Sequence, residues 1–95
     1  MLRAVLPLTK KDGLPELALT LYHDLRRRAP AFYDDSGAIG RRYRRQDEVG
    51  TPWCFTVDHE TLTSRTVTVR HRDTMAQERI GLDHVPAWVA ERLGG

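Results

Sequence analysis

Leu2 to Leu25 reads LRAVLPLTKKDGLPELALTLYHDL, and its two halves carry different periods. Leu2–Leu8 is a short apolar run of the kind that forms a buried strand, and Lys11-Asp12-Gly13 ends it as a turn. From there Leu14, Leu17, Ala18, Leu21 and Leu25 recur at i, i+3, i+4, i+7 and i+11, one face of an amphipathic helix. Pro15 falls in the first turn, where the amides have no intrahelical partner to lose. Arg26-Arg27-Arg28 close the helix at the negative end of its dipole, and a solvated cap accounts for the triplet. A buried strand leading directly into an amphipathic helix is the start of an α/β arrangement.

Working outward, Ala29–Asp35 predicts a second short strand, entered at Pro30 and built on Phe32 and Tyr33. A second helix is expected from about Gly37 to Glu48, stopping near Gly50-Thr51-Pro52. At about 100° per residue its wheel puts Ile39 and Tyr43 on one side. Arg41, Arg42, Arg44 and Arg45 fan over an arc of about 160° opposite, so the helix should show four guanidinium groups outward. Trp53–Asp58 reads as a third strand and Thr66–Arg70, with period 2, as a fourth. The Thr61–Arg65 link is short enough to make an antiparallel hairpin of them. Ala76–Leu82 predicts a fifth strand, after which Asp83 caps a last helix, Val85–Leu93, with Val85, Trp88, Val89 and Leu93 inward. The order βαβαβββα predicts a three-layer α/β/α fold around a five-stranded mixed sheet.

With 95 residues and 10.9 kDa the chain is expected to be one domain, residues 1–95, with one core. No apolar run approaches the roughly 20 residues needed to cross a bilayer, so no membrane partner is expected. Met1–Leu8 has no h-region, which leaves secretion unsupported. Cys54 stands alone, which excludes an intrachain disulfide and fits a reducing, cytoplasmic setting. The formal charge is only +2, because 13 acidic residues offset 15 basic ones. Of those 15, all but Lys10 and Lys11 are Arg, so a nucleic-acid role has to come from local placement rather than bulk charge.

Most routes to chemistry close quickly. His23, His59, His71, His84 and Cys54 stand at none of the close spacings that make a zinc site, so no metal is expected. Cys54, between Trp53 and Phe55 in mid-strand, reads as a small buried hydrophobe. No P-loop, G-x-G-x-x-G or G-x-S-x-G is present, and no catalytic residue is expected. The acid pairs Asp34-Asp35 and Asp47-Glu48 do not face one another and are better placed to neutralise nearby Arg.

The central block is different. Asp34-Asp35-Ser36-Gly37-Ala38-Ile39-Gly40-Arg41-Arg42-Tyr43-Arg44-Arg45-Gln46-Asp47-Glu48-Val49-Gly50-Thr51-Pro52-Trp53 is followed by Val67-Thr68-Val69-Arg70-His71-Arg72-Asp73-Thr74-Met75. Together these blocks resemble the C-terminal anticodon-binding domain of class II glycyl-tRNA synthetases, whose text runs D-[ST]-G-x-I-G-[RK]-x-Y-R-R-x-D-E-[IV]-G-T-P and V-T-V-R-x-R-D-[ST]-M. The opening V-L-P-L-T-K-K-D-G-L-P matches as well, so the resemblance covers nearly the whole chain. Departures fall at Thr63-Ser64-Arg65, at His71 and at Ala76, on loops or strand ends.

The resemblance implies a module that recognises the anticodon arm of glycine tRNA and supports glycylation by a parent or partner synthetase. It implies no cofactor for this domain, since ATP and Mg belong to a parent catalytic domain that these 95 residues do not hold. The parent would be an ATP-dependent glycine–tRNA ligase and a homodimer; the isolated domain is expected to be monomeric, as an excised piece or a free-standing copy. The glycine anticodon presents two cytosines, and a carboxylate beside a guanidinium matches the cytosine edge. Asp34, Asp35 and Ser36 in the turn after the second strand, Asp58 and Glu60 after the third, and Arg70, Arg72 and Asp73 after the fourth supply both partners in turn regions. Arg41, Arg42, Arg44 and Arg45 suit phosphate, each as a rigid fork. The alternative is an accessory or protein-interaction subunit that keeps the fold without reading RNA.

Overall fold

Strand β1, Arg3–Pro7, is buried at every residue, because it lies between two other strands and under helices on both faces. In this computed structural model, which describes residues 3–27 and 30–93, the five strands run in the order β2-β1-β3-β4-β5. β2 (Ala31–Tyr33) and β3 (Trp53–Val57) pair with β1 in parallel, in register Ala4↔Phe32 and Ala4↔Cys54. β4 (Thr66–His71) and β5 (Gln77–Gly81) continue antiparallel, with Phe55↔Val69 and Val69↔Glu78 opposed. The sheet is therefore the mixed one that the element order implies.

Alternation along the strands sorts the two cores. Val5, Phe55, Val57, Val67 and Val69 face helices α1 (Leu14–Arg26) and α4 (Val85–Leu93), and pack with Leu14, Ala18, Leu21, Leu25, Val85, Trp88 and Val89. Ala4, Leu6 and Cys54 face the other way, under Ile39 and Tyr43 of helix α2 (Ile39–Val49). The three layers are thus two helices, sheet, one helix. The stripe from Leu14 to Leu25 does what its spacing predicts, with all but half-buried Leu17 fully inside.

Several boundaries differ from expectation for local reasons. α1 ends at Arg26, and Arg28 of the triplet, like Ala29 of the expected second strand, lies outside the described residues. α2 starts at Ile39 rather than Gly37, because the Asp34 carboxylate accepts the Ser36 amide at 3.0 Å and Gly37 adopts φ 71, a turn that a helix does not contain. It ends on Gly50 at φ 80, whose amide returns to the Asp47 and Gln46 carbonyls. β3 and β4 are antiparallel as predicted, but their link is a short helix, α3 (His59–Ser64), not a tight hairpin turn. Asp58 accepts the Thr61 amide at 3.2 Å while the Thr61 hydroxyl accepts the Asp58 amide at 3.0 Å, a reciprocal cap that holds the helix. At the other end of the chain Asp83 lies within a 3-10 turn, Leu82–His84, that leads into α4, instead of standing as an extended cap before it.

Candidate nucleic-acid interface

The arginine helix is where sequence and structure part. Arg42 does not point outward: it is 2% exposed, and its guanidinium donates to the Pro7 carbonyl and, at 3.1 Å, to the Leu8 carbonyl. On the wheel it stands beside Gln46, at the edge of the arginine arc, and Gln46 is buried against Thr51 with a 2.8 Å hydrogen bond. A fork that reaches two carbonyls where β1 gives way to its loop satisfies acceptors that burial would otherwise orphan. Arg45 is committed as well. It grips Asp34 bidentately at 2.8–3.1 Å and donates to the Ser36 carbonyl at 2.8 Å, pinning the β2–α2 loop to the helix. Ser36 itself stays exposed in that loop.

Arg41 and Arg44 remain. Both are exposed on the outer face, and neither makes an ion pair or side-chain hydrogen bond to a described residue. Only these two of the four arginines present a free fork to solvent.

Cross-strand pairing brings most of the other predicted residues to the α2 side of the sheet. Cys54 opposes Arg70, Thr56 opposes Thr68, and Thr68 opposes Arg79. At one end Arg70, 6% exposed, donates to both oxygens of Asp47 at 3.2 Å and lies 4.8 Å from the centre of the Tyr43 ring. The Asp47 carboxylate accordingly holds the Arg70 guanidinium above its ordinary pKa. Tyr43 in turn hydrogen-bonds Thr56 through its hydroxyl, and burial raises that hydroxyl's pKa. Arg72 and Asp73 pair with each other at 3.0 Å on the turn beyond, where Arg72 passes close to Gly50; a β-carbon there would meet its guanidinium at 3.4 Å.

At the other end, about 7 Å along β4, stands a network that periodicity did not reveal. Arg79 holds Asp58 with both terminal nitrogens, at 2.6 and 3.3 Å, and Glu60 with Nε at 2.6 Å, and donates to the hydroxyls of Thr66 and Thr68. Burial alone pushes the Asp58 carboxyl up, but Arg79 and Thr61 outweigh it and hold it below the usual carboxylate range. Hydrogen bonding to Asp58 likewise raises Arg79. Asp58 is therefore occupied on both oxygens by the cap and the guanidinium, whereas Glu60 is 57% exposed in its side chain and engaged through Oε2 alone. The missed residue, Arg79, had one signal: it alternates in β5 with the core-facing Ile80.

Among the described residues no group of three His, Cys, Asp or Glu gathers to hold a metal ion, and no helix is long and apolar enough to cross a membrane.

The anticodon binding domain family matches residues 3–92 of this chain. The glycine–tRNA ligase of Bifidobacterium longum is 60% identical over 92 residues, which are 96% of this chain and 19% of that protein. The glycine–tRNA ligase of Thermobifida fusca is 56% identical over 92 residues, 97% of this chain and 20% of that one, and that of Rhodopirellula baltica 53% over 90 residues, 95% and 17%. The chain thus spans about a fifth of the length of these curated relatives. In fold it is similar to the RNA binding domain of threonyl-tRNA synthetase from Cryptosporidium parvum, with a TM-score of 0.83 at 23% identity over 94% of this chain and 22% of that one. Prolyl-tRNA synthetase of the same organism, complexed with L-proline and AMP, superposes with a TM-score of 0.86 at 17% identity over 97% and 20%. From its first strand into its last helix, then, the chain belongs to the anticodon binding domain family, and the named relatives it matches at more than half identity are glycine–tRNA ligases.

Proposed function

We propose that the chain docks the anticodon arm of glycine tRNA and contributes affinity and identity, with no chemistry of its own. The observation that carries this reading is the sorting of the arginines on α2. Two of them, Arg42 and Arg45, are spent on holding the helix to β1 and to the β2–α2 loop, and the two left over, Arg41 and Arg44, stand together on the outer face. Free forks on a rigid helix suit phosphate oxygens, which fix the register of an RNA loop without reading its bases.

Base reading falls to the α2 side of the sheet, and of the carboxylates expected there Glu60 is the best placed. Its Oε1 is uncommitted and accepts the N4 amino group of an anticodon cytosine, while Arg79 fixes Oε2. Asp58 acts through α3, as its cap and as the anchor of Arg79. In a full-length glycine–tRNA ligase the ATP and Mg that drive ligation belong to the catalytic part, a homodimer in the cytoplasm is the expected setting, and this module delivers the tRNA.

The test is binding of glycine tRNA, a second tRNA, and a glycine tRNA whose anticodon cytosines are changed to uracil, all at one stated salt concentration. Glu60→Gln should narrow the cytosine-over-uracil gap by roughly 1–3 kcal/mol, since the amide places a donor against the cytosine amino group. Asp58→Asn should act mainly on stability. Equal binding of both natural tRNAs by the wild type would sink the assignment to glycine tRNA. An unchanged gap in Glu60→Gln would move base reading to Asp73 with Arg72, or to Ser36.

A further inference from the structure

Once the ion pairs and the backbone contacts of Arg42 are assigned, the exposed arginines among the described residues that make no side-chain hydrogen bond or ion pair fall into two groups. Arg41 and Arg44 form one. Arg26, Arg27 and Arg65 form the other, on the opposite side of the sheet. There a groove of about 520 Å³ runs beside α1, with Leu17, Leu21 and Leu82 along it and Arg27 and Arg65 on its rim; Arg26 adjoins it in a smaller hollow shared with His23 and Arg27. Asp24 is the one carboxylate on the lining, so the rim is basic. Arg65 is held toward this groove by backbone that an L-residue rarely adopts, φ 55, fixed by its amide on the Thr61 carbonyl and by the Leu82 amide on its own carbonyl at 2.8 Å.

We propose that this groove is a docking surface for a short acidic amphipathic helix of another protein, separate from the RNA face. Two features choose protein over RNA. The floor is aliphatic, the edge of the α1 core, and the one ring on its lining, His23, already packs against the Tyr22 ring with centroids 5.3 Å apart instead of standing as an open stacking platform. The groove also lies across the sheet from Arg41 and Arg44, so an RNA arm seated on α2 does not reach it. Leucines between guanidinium groups ask for a partner with apolar residues at i, i+3 and i+4 flanked by Glu or Asp. From Leu17 to Arg27 the groove follows about 15 Å of α1, the length of about three helical turns of such a partner.

The probe is a fluorescein-labelled peptide of about 15 residues with Leu at i, i+3, i+4 and i+7 and Glu elsewhere, titrated into the isotopically labelled chain with and without glycine tRNA. Saturable binding with amide shifts centred on Leu17, Leu21, Leu82 and Arg65 is expected, and saturating tRNA should not displace the peptide. Arg27→Glu/Arg65→Glu should weaken the peptide by about tenfold or more and reverse the preference toward the same peptide with Lys for Glu, while leaving tRNA affinity unchanged. Arg44→Ala should do the opposite. The proposal is overturned by no saturable binding, by equal binding of a Gln-for-Glu peptide, or by tRNA shifting the same amides, which would assign the groove to RNA. Because tRNA binding is read separately, failure here leaves the anticodon reading standing, and failure of that reading leaves the groove testable.

Discussion

Arg41, Arg42, Arg44 and Arg45 share one helix and one chemistry, and what separates them is the acceptor within reach. Arg42 meets backbone carbonyls, Arg45 meets Asp34, and the other two meet solvent. The four should therefore divide by readout. Arg44→Ala is expected to weaken binding to all tRNAs alike and to reduce the slope of log affinity against log salt by about 0.7–0.9 for one lost phosphate contact, with the unfolding midpoint unmoved. Arg42→Met should do the reverse: it leaves the Pro7 and Leu8 carbonyls without their donor, costs roughly 2–4 kcal/mol of stability, and keeps the salt slope. Denaturant melts and salt-series titrations of both variants decide this, and a flattened salt slope in Arg42→Met would mean that its guanidinium leaves the core to meet RNA. Cys54 is a second case of environment overriding residue type. Burial pushes its thiol up to about 11, so at pH 8 it should react with Ellman's reagent at least about a hundredfold more slowly than in the urea-unfolded chain. Rapid native labelling would show that the α2 layer opens readily.

Helix α3 is the element whose existence depends most on a single residue. Its six residues are too few to be stable by propensity, and Asp58 supplies both the cap and the tie to Arg79 across the sheet. Losing the cap in Asp58→Ala should cost about 1–2 kcal/mol. The sign of the pH effect follows from the lowered carboxyl: its stabilisation is complete above the ordinary carboxylate value of about 4 and is lost as pH falls through the lower value of the folded state. The stability gap between the wild type and Asp58→Asn should thus be constant from neutral pH down to about 5 and shrink below about 4; urea midpoints across that range measure it, and a gap that stays flat into acid would remove the carboxylate's charge from the account. α3 also marks the limit of what periodicity reveals. β1, α1 and the β4 alternation are legible in the sequence because each pattern is local and long enough to declare its period. A six-residue helix has no period to speak of, and its signature, Asp58 three residues before Thr61, is a capping pattern rather than a repeat. Arg42 escaped for the opposite reason. The wheel places it correctly at the rim of the polar arc, but the carbonyls that draw it inward lie 34 and 35 residues away, in a strand whose position is known only after folding. Arg79 is likewise a non-local fact, made by β5 laying it opposite Thr68 and within reach of Asp58.

At the scale of the whole molecule the two covered faces of the sheet are built differently. The α1 and α4 side carries the larger core, and the α2 side is thinner, built on Ala4, Leu6 and Cys54. On that thinner side β4 and β5 extend past the helix, leaving Gln77 and Arg79 exposed beside it. Under the function proposed above, a small domain can give such a face to RNA because the larger core lies on the other one. The same economy sets what the chain does alone. Its strands are all spent on this one sheet among the described residues, and no Gly-rich phosphate loop occurs in the sequence. The pure chain should therefore support no glycine-dependent ATP–pyrophosphate exchange, yet still occupy the anticodon arm. Added in excess to a full-length glycine–tRNA ligase with limiting glycine tRNA, it should slow glycylation by sequestering the substrate, and Arg44→Ala in the same excess should slow it less, with the difference shrinking as salt is raised and the phosphate term is screened. Initial glycylation rates at two salt concentrations, with wild-type chain, Arg44→Ala or neither, make the measurement. Exchange above background from the chain alone, or equal inhibition by both forms at low salt, would separate the fold from the role assigned to it.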